Sequence, residues 1–259
     1  DWKVSDDKLT YTFTLRDGLK WHDGKPVTAE DCVASLMRWG KKDGMGQKLM
    51  DFTASLEATD TKTITLKLKE PYGLVLESIG KPSSTVPFMM PKRLADTPGD
   101  KQIPEQIGSG PFKFVQAEFQ PGVKAVYEKN TDYVPRKEPP SWTAGGKVVK
   151  VDRVEWITMA DAQTAVNALQ SGDIDFMENP SFDILPMLNA NKDIIVQPLD
   201  NLGFQTVGRM NFMFPQFDSV NVRRAALMAM YSYDLLDSLG ANPEYQPLCP
   251  AQFICDPHS

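Results

Sequence analysis

Two histidines, His22 and His258, stand near opposite ends of the chain. A zincin needs two histidines on one helix face with a glutamate between them, and no His-Glu-x-x-His run exists. A serine nucleophile of the common hydrolase type needs a Gly-x-Ser-x-Gly elbow, and none is present. Gly145-Gly146-Lys147 resembles a phosphate loop only in part. Ser141 stands where its first glycine belongs, and Val148 replaces the serine or threonine that would meet magnesium. Gly108-Ser109-Gly110 lacks the third dinucleotide glycine and leads into a strand rather than a helix. Carboxylates are plentiful, and sequence sets no distance between any glycosidase-type pair. Asp17, Asp23, Asp31, Asp60 and Asp161 each sit where a turn or a helix cap accounts for them.

The three cysteines are Cys32, Cys249 and Cys255. Cys32 falls on an apolar helix face and reads as a small buried hydrophobe. Cys249 and Cys255 lie in a proline-rich loop at a spacing unsuited to the usual zinc pairs. An oxidising compartment would favour a local disulfide between them; otherwise they are two separate thiols. No metal site or cofactor is expected.

The elements that must position these residues begin with a strand. Leu9, Tyr11, Phe13 and Leu15 alternate with Thr10, Thr12 and Thr14, the period of a half-buried strand. Asp17-Gly18 and Asp23-Gly24 are turns. Thr28 and Asp31 form a capping box opening a helix to about Trp39, closed by Gly40. Cys32, Val33, Leu36 and Met37 are its expected inner stripe. Trp21 is expected to pack beneath the preceding turn. Residues 55–58 and 63–68 flank Thr59-Asp60-Thr61-Lys62 as a hairpin, a short helix follows near 75–79, and 82–107 reads as irregular surface.

Further strands are expected at 112–119, 123–128 and 148–158. Asp161 caps a helix closed by Gly172, and a return to strand is expected from Ile174. That order suggests an α/β crossover unit. Beyond Asn179-Pro180, a helix is expected at 184–188, strands at 194–199 and 204–212, and helices at 222–231 and 233–239.

The chain has 259 residues, with 41% hydrophobic and 24% charged, values of an ordinary globular protein. Lys plus Arg is 28 against 34 for Asp plus Glu, a formal charge of -6. This mild acidic surplus argues against a nucleic-acid partner, which needs basic patches. No apolar run approaches the roughly 20 residues of a membrane span. The chain opens without a methionine or a signal-peptide pattern, so both ends are expected to be truncated or processed.

Residues 10–39, TYTFTLRDGLKWHDGKPVTAEDCVASLMRW, closely resemble the signature region of the peptide, nickel and oligopeptide-type solute-binding family. Four more segments match in order: GSGPFKF at 108–114, KNTDYV at 129–134, VDRVEWI with AVNALQSGDIDF within 151–176, and MNFMFPQFDSVNVRRAALMAM at 210–230. The resemblance implies an α/β, two-lobe periplasmic-binding-protein-like (type II) fold. Its first lobe would be 1–40 with 107–178, carrying 41–106 as an inserted subdomain, and its second lobe would start at 179. It implies capture of a peptide or small solute by hinge closure, and delivery to an ABC permease by a monomer. The location would be periplasmic or extracytoplasmic, with any signal or anchor outside this chain. The resemblance also suggests ligand-binding residues: Met177 and Asn179, with Glu178 between them, in a hinge where Pro180 favours extended geometry at Asn179, and Phe204, Gln205 and Asn211 on an early second-lobe strand. Each reads equally as an ordinary core or strand position. A two-lobe hydrolase and a chaperone-like peptide holder are the alternatives.

Overall fold

A computed structural model describes residues 1–82, 84–141, 144–199, 209–230, 234, 237, 238 and 240. The chain divides into two compact units, Asp1–Thr158 and Met159–Ser259. The lobe boundary expected at 179 falls inside the second unit.

The first unit begins with β1 (Trp2–Val4) and β2 (Thr10–Thr14), and continues through α1 (Ala29–Gly40) and α2 (Gly44–Phe52) to β3 (Thr53–Ala58) and β4 (Thr63–Leu68). The four strands form one antiparallel sheet in the order β1-β2-β4-β3. Tyr11 faces Leu66 and Phe13 faces Ile64 across it. Half of this sheet comes from the stretch expected to be an inserted subdomain, so 41–106 is not a module apart in its packing. Tyr11, Leu66 and Leu68 pack with Leu36 and Trp39 of α1, Leu49 of α2 and Val75. Residues opposite one another on one sheet face thus meet two helices, the usual way to bury that face.

The stripe of α1 differs from expectation. Cys32, Leu36 and Trp39 are buried with Ser35, while Met37 is 43% exposed. The reason lies in a strap, residues 81–101, that runs along the helix. It contains α3's C-cap at its start, α3 being Val75–Gly80, and the short α4 (Lys92–Ala95). The Trp39 Nε1–H donates to Thr85 O at 2.6 Å. The Ser35 hydroxyl accepts the Met90 N–H at 3.0 Å, with the Asp31 and Met90 carbonyls at 2.8 and 3.0 Å as its own acceptors. Lys81 pairs with Asp43 at 2.7 Å, and Arg38 donates to Thr97 O and Lys101 O. These partners let polar atoms of Ser35 and Trp39 enter the interior without cost.

The α2 helix was absent from the sequence expectation. Glycine disfavours a helix interior, but the Asp43 carboxylate caps the helix, accepting Met45 N–H and Gly46 N–H at 3.0 Å each. A Cβ on Gly46 would stand 3.0 Å from Gly40 Cα and 3.1 Å from the Trp39 ring. Glycine is what allows α1 and α2 to approach this closely.

Asp31 gathers the start of α1. Its Oδ2 accepts the Thr28 hydroxyl at 2.8 Å, the Thr28 N–H at 2.9 Å and the Trp21 Nε1–H at 3.1 Å; its Oδ1 accepts the Lys92 N–H at 2.7 Å. Both halves of the capping box are formed. Trp21 is 2% exposed, beneath the turn as expected. Burial pushes the Asp31 carboxyl up, but hydrogen bonds from Lys92, Thr28 and Trp21 outweigh it and hold the group below its ordinary value.

A second antiparallel sheet, β5-β6-β7, comprises Phe112–Phe114, Lys124–Lys129 and Arg153–Ile157. Val126 is fully buried, and Phe114 meets the rings of Phe119 and Tyr127. β5 and β7 are shorter than expected, while β6 keeps its expected length and is shifted by one residue. After Phe114 the chain turns through a 3-10 helix, Gln116–Glu118. β7 begins late because β6 ends at Lys129, whose N–H bonds Asp152 O. Residues 148–151 have no ladder partner. One face carries an ion network in which Arg153 meets Glu118, Glu128 and Glu155.

In the second unit, Asp161 caps α5 (Ala162–Ser171) through a 2.7 Å bond from Thr164 N–H, and Gly172 closes it at φ 81. The strand expected from Ile174 does not form. Asp173 and Ile174 instead return their N–H groups to Ala168 O, at 2.8 and 3.3 Å. α6 is Leu185–Ala190 and α7 is Val220–Ala229. The strand expected at 194–199 is irregular, as are the described residues of 204–212. Every pairing among the described residues is antiparallel, so the expected crossover unit is not seen in them. At the start of α7 the Ser219 side chain makes no capping bond; Arg223 instead donates to Phe217 O and Asp218 O at 2.6 and 2.9 Å.

Replacing Asp31 by Ala strands the Trp21 and Lys92 donors and removes the cap. Urea denaturation is expected to show a loss of about 1–3 kcal/mol, with Asp31→Asn losing less. In the wild type this contribution is full above the ordinary aspartate range and is lost as pH falls below it, because the folded carboxyl titrates lower than the unfolded one.

Candidate functional site

Residues 173–184 follow α5 without regular structure. Met177 is half-buried; Glu178 and Asn179 are exposed. Asn179 has φ 53, in the left-handed region. This corrects the extended geometry expected of a residue before proline. Asparagine is among the few side chains that enter this region at small cost, because its short polar group bonds locally. The chain therefore bends at Asn179 rather than crossing as a strand.

Asn211 is exposed, and its side chain is turned onto its own loop. Its Oδ1 accepts the Met213 N–H at 3.1 Å and its carbonyl accepts the Phe214 N–H at 3.2 Å. It is a turn former here. Phe204 and Gln205 lie outside the described residues, as do Cys249 and Cys255. Of the five expected ligand residues, the structure thus describes three, and two of them, Asn179 and Asn211, serve local backbone geometry.

Sequence reasoning missed the apolar side chains beside them. Phe176 is 61% exposed, Phe212 66%, Met213 84% and Phe214 59%. The signal was available: Phe212, Met213 and Phe214 are consecutive and apolar, which suits neither a half-buried strand nor an amphipathic helix. Exposed apolar residues in such a run mark a surface that meets something.

A groove lies elsewhere, in the first unit. It has a volume of about 670 Å³ and runs along the outer side of α1 past Val33 and Met37, between Glu57 and the 96–99 turn. None of the expected site residues lines it. Two of its cations are engaged: Lys92 pairs with Asp96 at 2.6 Å, and Arg38 bonds the strap carbonyls. The Cys32 thiol is buried, which pushes it up to about 11, with Asp31 adding to the effect, so it stays protonated at neutral pH. Among the described residues, no group of three His, Cys, Asp or Glu is placed to hold a metal ion, and no helix is long and apolar enough to cross a membrane.

Residues 1–256 match the family described as bacterial extracellular solute-binding proteins, family 5 Middle. The chain belongs to this family. A probable peptide ABC transporter periplasmic-binding protein of Sinorhizobium fredii is 44% identical over 247 residues, which is 95% of this chain and 46% of that protein. A putative ABC transporter peptide-binding protein of Brucella ovis is 31% identical, over 92% of this chain and 43% of its own length. The family-5 chain thus spans less than half the length of these curated relatives. Among solved structures, the periplasmic binding protein DppA from Helicobacter pylori, in complex with a peptide, superposes with a TM-score of 0.71 at 24% identity, over 93% of this chain and 48% of that one. That likeness shows the fold, which is α/β and of the type II periplasmic-binding class expected above.

The left-handed backbone at Asn179 admits glycine and resists β-branched residues. Asn179→Val is expected to cost about 1–2 kcal/mol and lower Tm by calorimetry, while Asn179→Gly leaves Tm unchanged or higher.

Proposed function

We propose that this chain is part of the substrate-binding component of an ABC importer, with peptides as its ligand class. The observation that carries the reading is the family match across residues 1–256, together with the 44% identical relative named for peptide transport. Ligand would lie between two lobes and favour the closed form, shifting the population towards it. A membrane permease would then take the ligand from the closed protein. No bond is made or broken in this cycle, so the protein is not an enzyme. The lobe division at 179, a monomeric state and a periplasmic or membrane-anchored location belong to the same proposal.

Extended peptides need backbone partners and roomy, partly apolar pockets. The exposed Phe176, Phe212, Met213 and Phe214 are of the right chemistry for such walls, and they join Met177, Asn179 and Asn211 as candidates. Phe204 and Gln205 stay candidates on the resemblance alone.

The test uses the protein at its natural length, incubated with a defined mixture of short peptides. A bound peptide at about a hundred times its Kd stabilises the fold by about 2.7 kcal/mol, which calorimetry reads as a rise in Tm. Mass spectrometry of the same mixture is expected to recover every peptide uncut. Cleaved peptide would point to a hydrolase. Weak retention of unfolded chains with no gain in Tm would point to a chaperone-like holder. Either result overturns the transport reading.

A further inference from the structure

His22 stands where the two sheets of the first unit are joined. Its backbone N–H donates to Gly108 O at 2.9 Å. Its Nδ1 accepts the Gly108 N–H at 3.2 Å, and its Nε2 lies 3.1 Å from Gly110 O. A backbone N–H can only donate and a carbonyl can only accept. The ring must therefore carry its proton on Nε2 and leave Nδ1 bare. A Cβ on Gly108 would stand 3.4 Å from His22 Cε1, so the imidazole lies close against the glycine backbone.

Both ends of this contact are anchored. On one side, the neighbouring Trp21 is held by Asp31, and through it by α1 and the strap. On the other, Asn130 closes the same turn: its Nδ2–H donates to Gly110 O at 3.0 Å and its N–H to Pro111 O at 2.8 Å. Gly110 and Pro111 lead directly into β5. Among the described residues, the other side-chain hydrogen bond joining these two parts is Arg16 to Val134 O at 3.3 Å. One imidazole thus bridges the α1 body and the three-stranded sheet.

We propose that His22 is an acid-sensitive tie: a proton on Nδ1 sets two donors against each other at Gly108 and loosens the 108–111 turn, which leads into β5, against the α1 body. The charged groups around the ring are Asp23, which pairs with Arg93 at 3.2 Å and Lys25 at 3.9 Å, Lys113 on β5, and Glu105, the second partner of Arg93. Burial disfavours the imidazolium most, and Lys113 adds to that; the Gly110 carbonyl and Asp23 oppose them. The balance holds the folded ring below its ordinary value. The unfolded chain then binds the proton first, so the tie is whole above that value and weakens as pH falls below it. An extracellular family is exposed to the outside pH, which gives such a tie something to sense.

Nitrogen-15 NMR at neutral pH is expected to show His22 as the Nε2–H tautomer. Hydrogen exchange, corrected for its intrinsic pH dependence, is expected to show protection of the Gly108 amide falling about tenfold or more between about pH 7 and about pH 5. His22→Gln keeps an acceptor and a donor but cannot titrate, and its protection at Gly108 is expected to be independent of pH. His258 is retained in that variant and controls for the other imidazole. An Nδ1–H tautomer, wild-type protection that survives at about pH 5, or the same acid loss in His22→Gln would each overturn the proposal. The first two readouts need only the wild-type protein, so a variant that fails to fold leaves the test intact.

Discussion

The Asp31 carboxylate is the constraint on which the first unit depends. It accepts hydrogen bonds from a turn before the helix, from the helix cap and from a strap that arrives sixty-one residues later. A charged acceptor partly withdrawn from water is costly unless its lone pairs are used, and here they are. Once Asp31 is satisfied, Trp21 is fixed beneath the turn and Lys92 is fixed beside α1. His22 follows from Trp21, and the 108–111 turn follows from His22. Local capping chemistry and long-range assembly are therefore the same set of bonds.

What could be read from residues alone was what neighbouring residues decide. Thr28 with Asp31, Asp60 in the hairpin turn, and Asp161 with Gly172 each carry their structural role within a few positions, and each appears as expected. The α2 helix was hidden because its glycines look like breakers, whereas they serve a close approach to Gly40 and Trp39 that only the folded chain reveals. The α1 stripe went astray at Met37 and Trp39 for a similar reason. The indole is the larger and more polar choice for the interior, and it needs Thr85 to make that possible.

The expected site residues were less legible. Asn179 is expected in a hinge segment and Asn211 on an early second-lobe strand, each facing a ligand. Asparagine also serves left-handed backbone and turn closure, and Asn179 and Asn211 are used in these two ways. Strands expected at 174–176 and 194–199 required partners that the described residues do not supply. Periodicity reports that a segment could sit in a sheet; it is silent on whether a neighbour is there to complete the ladder.

The strap along α1 constrains how this part of the chain can vary. Lys81, Thr85, Met90 and Lys92 meet Asp43, Trp39, Ser35 and Asp31 in strict antiparallel order. An inserted or deleted residue between 85 and 92 would shift several of these contacts out of step together. An irregular segment that would otherwise look permissive is therefore sensitive to length, while side chains whose backbone atoms do the bonding carry less of the constraint.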